Sequence, residues 1–167
     1  MDLDSFTGGY NRAYAVVNIE AVRRNILKSR EFLPENTGII AVIKTDAYGH
    51  GAAKVADAVK DITAGFAVAT IDEAVELREA GITSHIIVLG YISPREYVAA
   101  IEHDIILSMF DYKQACALSE LAGAMGKCGR CHIKIDTGMN RIGLPAKHLR
   151  QKCIFRRCYQ MPFILFY

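Results

Sequence analysis

Short apolar runs rich in β-branched residues recur along the chain at regular intervals. Most are continuously apolar and are bounded by Gly, Asp, Ser or Thr, as expected for parallel strands that are buried on both faces. The runs are Ile39–Ile43, Phe66–Ala69, Ile86–Leu89, Ile105–Leu107 and His132–Ile135. This pattern predicts five strands.

Helical patterns separate the runs. Asn18 is predicted to cap a helix that ends at Pro34 and turns Val22, Ile26 and Leu33 to one side, and Gly51 to open a second helix carrying Val55, Val59 and Ile62. Three further helix starts carry capping residues. They are Thr70 with Glu73 (a helix closed by Gly81), Ser93-Pro94 with Glu96, and Asp111 (a helix ended by Gly126).

Strand follows helix about every 20–27 residues, so the chain is a run of βα units with an α/β fold. Such a run suits either a doubly wound sheet or part of a (β/α)8 barrel. A dinucleotide-binding sheet would carry G-x-G-x-x-G after its first strand, whereas residues 44–51 read KTDAYGHG. The barrel is therefore favoured. It would be incomplete, because a closed barrel needs eight strands and roughly 250 residues.

The chain divides into three segments. Residues 1–17 form an N-terminal segment, 18–143 the partial barrel, and 144–167 an irregular tail without clean periodicity. We expect the tail to reflect a frameshift or truncation, with no C-terminal β-domain. The unpaired first and fifth strands of such a barrel predict instability or self-association.

Composition narrows the function classes. The chain has 167 residues, 51% apolar and 23% charged, with a net charge of +2. These values exclude a disordered chain and give no reason to expect a nucleic-acid partner. No apolar stretch is long enough for a membrane span, and the acidic N-terminus does not resemble a signal peptide. We therefore expect a cytoplasmic protein.

The five cysteines all lie in the last third of the chain. In a cytoplasmic protein they are expected to be thiols rather than a disulfide framework. The C-x-x-C of Cys128 and Cys131, with Cys153 and Cys158, has faint zinc-like spacing. We expect no metal, because Cys131 adjoins a strand and the second pair lies in the irregular tail.

Lys44 is the sharpest candidate for chemistry. Period-2 alternation places it on one face with Ile40 and Val42, at the carboxyl end of the first strand, where barrel active sites lie. Partial burial there would favour its neutral amine, the form that undertakes Schiff-base chemistry. The alternative is a strand-end lysine whose ammonium group reaches into water.

A second candidate is the segment 133–143, IKIDTGMNRIG. Alternation places His132, Lys134 and Asp136 on one face of the fifth strand. Buried charges require partners, and Arg141 lies just beyond the strand. The alternative is a solvated edge strand followed by a glycine-rich turn.

Together the two segments resemble the alanine racemases, which are pyridoxal-phosphate enzymes built on a fold-type III barrel. AVIKTDAYGHG (residues 41–51) is similar to the family's cofactor-lysine signature, and KIDTGMNRIG (134–143) to its second hallmark. The VLG at 88–90 and the AVAT-x-DEA-x-x-LR-x-x-G stretch at 67–81 also fit. The resemblance spans roughly residues 14 to 146.

The resemblance implies a site. Lys44 would bind pyridoxal phosphate covalently and act as one of two bases that exchange the α-proton, while Tyr48 would donate its hydroxyl group to the phosphate. Arg141 would approach the cofactor ring and orient the substrate carboxylate, and Leu89 would lie against the ring. Lys134 matches a lysine that is carbamylated in some members.

The resemblance also implies L- to D-alanine conversion for peptidoglycan synthesis and a homodimer. The family takes its opposite-face base, a tyrosine, from a C-terminal β-domain of the partner subunit. Two alternatives remain open: a racemase of another amino acid such as serine, and a non-catalytic remnant of the family.

Overall fold

The computed structural model describes residues 15–145 of the 167-residue chain. These residues form one sheet of five parallel strands, which lie side by side in chain order. The strands are β1 (Ile40–Val42), β2 (Gly65–Val68), β3 (His85–Val88), β4 (Ile106–Met109) and β5 (Arg130–Ile133). The predicted run of parallel βα units is confirmed. Among the described strands, β1 and β5 lie at the two edges.

Helices connect the strands. They are α1 (Ile19–Arg30), α2 (Lys44–Gly49), α3 (Ala52–Val59), α4 (Ile71–Glu79), α5 (Tyr97–Glu102) and α6 (Tyr112–Ala124), with a 3₁₀ turn at Pro94–Glu96 before α5. After β5, two short strands, β6 (Ile135–Asp136) and β7 (Leu144–Pro145), pair in parallel with each other. Across residues 15–145, none of the helices is both long and apolar enough to span a bilayer.

The sheet separates two apolar layers. Side chains on one face join the helices in a single core, as Phe66, Val88 and Leu107 do. The alternate positions face the other way, and several are also buried, among them Ala67, Ile87 and Ile106. Burial on both faces explains why these strands read as continuous apolar runs rather than alternating ones.

Local capping chemistry fixes most helix starts. The side chain of Asn18 accepts a hydrogen bond from the amide of Ala21 at 2.9 Å, and Asp111 accepts one from Lys113 at 2.9 Å. Glu96 accepts from the amide of Ser93 at 3.0 Å. These are the predicted caps, and each satisfies an amide that has no partner within its own helix.

Two predicted helices are longer than the observed ones. Helix α1 ends at Arg30, so Leu33 lies beyond it, and α3 ends at Val59, before Ile62. Strand bounds also shift by one or two residues. Ile62 still packs against the core from the turn after α3, whereas Leu33 is exposed.

Arg78, near the end of α4, links two connections, the one from α4 to β3 and the one from α5 to β4. Its guanidinium donates to four backbone carbonyls, those of Ile82 (2.6 Å), Ser84 (2.7 Å), His103 (2.9 Å) and Asp104 (3.0 Å). Burial lowers the pKa of Arg78 from its usual range, with the nearby Asp104 carboxylate opposing that change. This cation therefore fixes the entries into β3 and β4.

Candidate active site

Lys44 is the second residue after the end of the first strand. The strand ends at Val42, and Ile43 extends the ladder by donating its amide to the carbonyl of Ala67 at 2.9 Å. Lys44 then opens α2 and is half-buried. The predicted position at the carboxyl edge is confirmed, but alternation within a strand is the wrong reason for it, because the chain has already left the strand.

The segment after Lys44 is left-handed. Thr45, Asp46, Ala47 and Tyr48 have φ angles of 54°, 51°, 52° and 56°. Each residue with a Cβ costs roughly 1–2 kcal/mol in this region relative to the right-handed helix. Four in succession are a strained arrangement that the surrounding structure must hold in place.

Glu73 makes two of the contacts that stabilise this turn. Its Oε1 atom accepts from the amide of Thr45 at 2.8 Å, and its Oε2 atom accepts from the amide of Ala69 at 2.7 Å. Only half of the predicted capping box forms. Thr70 does accept from the amide of Glu73, at 3.3 Å, but the Glu73 carboxylate reaches past the Thr70 amide to the Lys44 turn.

Asp46 and the residues after it make further contacts that stabilise the left-handed turn. The Asp46 carboxylate accepts from the amide of Ala52 at 2.6 Å and so caps α3, while its carbonyl accepts from Gly51 at 3.0 Å. Ala47 is buried, and its carbonyl lies 2.9 Å from Nδ1 of His50. His50 is thus a turn residue, as expected from its glycine neighbours.

Tyr48 lies beside the lysine. The Nζ atom of Lys44 is 5.9 Å from the centroid of the Tyr48 ring, within the range of a cation–π contact. The Tyr48 side chain is 62% exposed, so its hydroxyl group is available to a ligand. The left-handed turn is what brings residues four apart in sequence onto one side.

Leu89 follows the third strand at the same edge. It is half-buried, and its amide extends the β2–β3 ladder to the carbonyl of Val68 at 2.9 Å. The next residue, Gly90, approaches the neighbouring strand end so closely that a Cβ atom there would lie 2.7 Å from the carbonyl oxygen of Ala69. Only glycine fits that contact without movement of the backbone.

Lys134 follows the fifth strand. Its amide donates to the carbonyl of Met109 at 2.8 Å, its carbonyl accepts from Leu144 at 2.9 Å, and its Nζ atom donates to the carbonyl of Ile135 at 3.0 Å. The side chain is half-buried. Lys134 therefore links the end of the main sheet to the β6–β7 pair.

Arg141 lies in the turn after β6 and is exposed. Asp136 does not use it as the predicted partner. The Asp136 carboxylate instead accepts from the amides of Gly138 and Asn140, each at 3.0 Å. These hydrogen bonds, that to Asn140 first, hold the pKa of Asp136 below its usual value.

The predicted site residues share one edge of the sheet. Lys44 and Tyr48 are in contact, and Leu89 and Lys134 follow the carboxyl ends of β3 and β5. Arg141 lies further along the chain, in the turn between β6 and β7. The sequence indicated Glu73 only as a capping-box partner of Thr70 and as part of the DEA stretch, and not its contact with the amide of Thr45.

The cysteines give no support to a metal site. Cys128 is exposed and Cys131 is half-buried in β5, while Cys153 and Cys158 lie outside the described residues. Within the described part of the chain, no three His, Cys, Asp or Glu side chains cluster as metal ligands would.

A parallel βα sheet with a half-buried lysine at its carboxyl edge defines an α/β chain of the barrel type, with its site where barrel enzymes place theirs. The family model for the alanine racemase N-terminal domain matches residues 17–164. The chain belongs to the alanine racemase family. The match begins at residue 17 rather than about 14 and ends at 164 rather than about 146.

Individual relatives agree with this assignment. Alanine racemase 2 of Oceanobacillus iheyensis is 39% identical over 143 residues, covering 84% of this chain and 36% of the relative. An alanine racemase structure from Clostridium difficile matches with a TM-score of 0.75 at 37% identity, over 77% of this chain and 34% of that one. The chain thus spans little more than a third of the length of these relatives.

One further likeness concerns another substrate. A histidine racemase from Leuconostoc mesenteroides matches with a TM-score of 0.71 and 30% identity, covering 78% of this chain and 35% of that structure. Proteins named for different amino acids therefore share the fold of this part of the chain.

Proposed function

We propose that this chain carries the cofactor-lysine portion of a pyridoxal-phosphate-dependent alanine racemase. The observation that carries the proposal is the placement of Lys44: it is half-buried at the carboxyl edge, held by a left-handed turn, with its Nζ atom 5.9 Å from the Tyr48 ring. Membership of the alanine racemase family supports the reaction class.

The residues present fit the cofactor. A half-buried amine suits covalent attachment to an aldehyde, and an exposed tyrosine hydroxyl group one turn away suits donation to a phosphate oxygen. Leu89 offers an apolar surface at the same edge. Lys44, Tyr48, Leu89 and Arg141 would hold the group, with a carbamylated Lys134 supplying negative charge toward Arg141.

When bound, pyridoxal phosphate withdraws electron density from the substrate α-carbon and so makes the α-proton easier to remove. The amine of Lys44 would take and return that proton on the D-face, and Arg141 would orient the carboxylate of the substrate. A second base on the opposite face would complete the exchange, and each base would contribute about 10²–10⁴-fold. The family resemblance assigns that second base to a tyrosine of a partner subunit's C-terminal β-domain, so the proposed working form is a homodimer.

Alanine is the proposed substrate and D-alanine for the cell wall the proposed product, in the cytoplasm. The histidine racemase likeness favours a second candidate, the racemisation of a different amino acid on the same half-barrel. Both candidates use the same lysine and the same cofactor.

Exchange of the α-hydrogen for deuterium tests the proposal. The chain, pyridoxal phosphate and one amino acid are incubated in deuterium oxide, and the α-proton signal is followed by NMR for alanine, serine and histidine. We expect alanine to exchange fastest, above the rate with free pyridoxal phosphate alone.

The matched variants are Lys44→Arg, which keeps the charge, and Lys54→Arg, an exposed lysine of α3. Lys44→Arg should reduce exchange to the cofactor-only rate, and Lys54→Arg should not. Faster exchange of serine or histidine would replace alanine as the substrate. Undiminished exchange by Lys44→Arg would overturn the assignment of the base.

A further inference from the structure

We propose that Glu73 is a positioning residue that holds Lys44 in its reactive orientation by clamping the left-handed turn to the end of β2. The inference rests on the proposed function of Lys44, but the clamp itself is a feature of the protein without cofactor. It is not proposed as a catalytic residue, because its two carboxylate oxygens are bound to backbone amides.

The clamp joins two loops that are distant in sequence. Thr45, the residue after Lys44, lies 28 residues from Glu73, and its amide is 2.8 Å from Oε1. Ala69 follows β2, and its amide is 2.7 Å from Oε2. One carboxylate thus fixes the residue beside the lysine to the neighbouring strand end.

The two amides bind different oxygens of the carboxylate, so both acceptor atoms are used. An ionised carboxylate accepts through both atoms, whereas a glutamine side chain offers one acceptor and one donor. In a Glu73→Gln variant, one amide would therefore face an NH₂ group. Aspartate is one methylene shorter, so it could not span both amides from the same backbone position.

A purely helix-capping role does not account for this geometry. Thr70 already accepts from the amide of Glu73, at 3.3 Å, and so caps α4 without the carboxylate. The carboxylate binds Ala69, which precedes the cap, together with Thr45 of a different loop. Its second bond serves the Lys44 turn alone.

The turn needs an external anchor because its residues disfavour the conformation. Thr45 has a φ angle of 54°, and three more residues with a Cβ follow in the left-handed region. Such residues keep this conformation only where the surrounding structure imposes it. Release of the Thr45 amide would let the turn relax and change the direction of the Lys44 side chain.

Amide hydrogen exchange in the absence of cofactor tests the clamp directly. Glu73→Gln should accelerate exchange at Thr45 and Ala69 by about tenfold or more, since each amide loses a charge-assisted acceptor. Glu76→Gln, at an exposed position of the same helix, is the matched control and should leave both amides unchanged. Unchanged exchange in Glu73→Gln would overturn the proposal.

A second readout is the labelling of Lys44 by pyridoxal phosphate with borohydride reduction. Glu73→Gln should slow it by about tenfold, and adding Thr45→Gly should restore it in part, because glycine adopts the left-handed region freely. If Glu73→Gln alone does not fold, the labelling of the double variant still tests the clamp. Recovery in the double variant supports the clamp, and failure to recover contradicts it. If the wild-type Lys44 takes no label while the exchange rates change as expected, the clamp stands and the proposed function fails.

Discussion

The amine nitrogen of Lys44 lies 5.9 Å from the centre of the Tyr48 ring, although the residues between them do not form a right-handed helix. In a right-handed helix, residues at i and i+4 share a face. Here a left-handed turn after the strand brings the side chains at positions i and i+4, Lys44 and Tyr48, close together. The contact places a nucleophilic amine and a hydroxyl donor at one edge of the sheet.

Tyr48 is expected to recognise a phosphate rather than the aldehyde end of the cofactor. Tyr48→Phe keeps the ring but removes the hydroxyl group, and should weaken pyridoxal phosphate binding by roughly 3–30-fold, the value of an exposed charge-assisted hydrogen bond. Pyridoxal, which lacks the phosphate, should bind the variant and the wild type equally. Absorbance titration measures both ligands, and an equal loss for the two would contradict the role.

Gly90 is expected to resist even the smallest substitution. Gly90→Ala places a Cβ atom 2.7 Å from the carbonyl oxygen of Ala69, and forced movement at such a contact costs about 1–3 kcal/mol. Gly123→Ala is the matched control, since a Cβ atom there meets nothing within 4 Å in the last turn of α6. It should leave the stability unchanged or raise it by up to about 0.5 kcal/mol. Urea unfolding measures both, and a neutral Gly90→Ala would refute the contact.

Arg78 is expected to be irreplaceable by lysine. Lysine cannot reach four carbonyls from one planar group, so Arg78→Lys should lower the free energy of unfolding by on the order of 2–4 kcal/mol. Arg95→Lys, at an exposed position of the 3₁₀ turn, should change it little. Equal unfolding midpoints for the two variants would show that the carbonyl contacts of Arg78 contribute nothing.

His132 is expected to make the fold sensitive to mild acid. It is 8% exposed, and its Nδ1 atom has no hydrogen-bond partner within residues 15–145. Burial, with a smaller contribution from His85, lowers its pKa in the folded state. The unfolded chain, with a histidine pKa near 6.5, then binds a proton more readily than the folded chain. Stability should therefore fall as pH drops through about 6.5 and toward the lower folded pKa.

The test is the pH dependence of the free energy of unfolding between wild type and His132→Gln. The variant should show a shallower loss between neutral and mildly acidic pH, whatever its absolute stability. Parallel curves would contradict the assignment of this dependence to His132.

Sequence predicted well those elements that are stabilised by residues close by in the chain. Asn18 and Asp111 cap their helices through amides two or three residues away, and the strands are visible because both of their faces are buried. Sequence also singled out Lys44, first by its place at a strand end and then by the family motif, and its role as the cofactor lysine stays a prediction.

The conformation of residues 45–48 could not be predicted in the same way. Thr, Asp, Ala and Tyr all prefer right-handed or extended backbone, and the contact that holds them comes from Glu73, 28 residues away. The predicted pairing of Arg141 with Asp136 is wrong for a related reason. Asp136 satisfies its carboxylate locally, with amides of the following turn.

If this chain organises a cofactor lysine at position 44, pyridoxal phosphate will label that lysine selectively. The protein is incubated with pyridoxal phosphate, reduced with borohydride and mapped by peptide mass spectrometry, with Lys44→Ala as the control. We expect one pyridoxyl group per chain, confined to Lys44 and lost in the variant. Label spread over exposed lysines such as Lys54 and Lys60, or unchanged by Lys44→Ala, would contradict it.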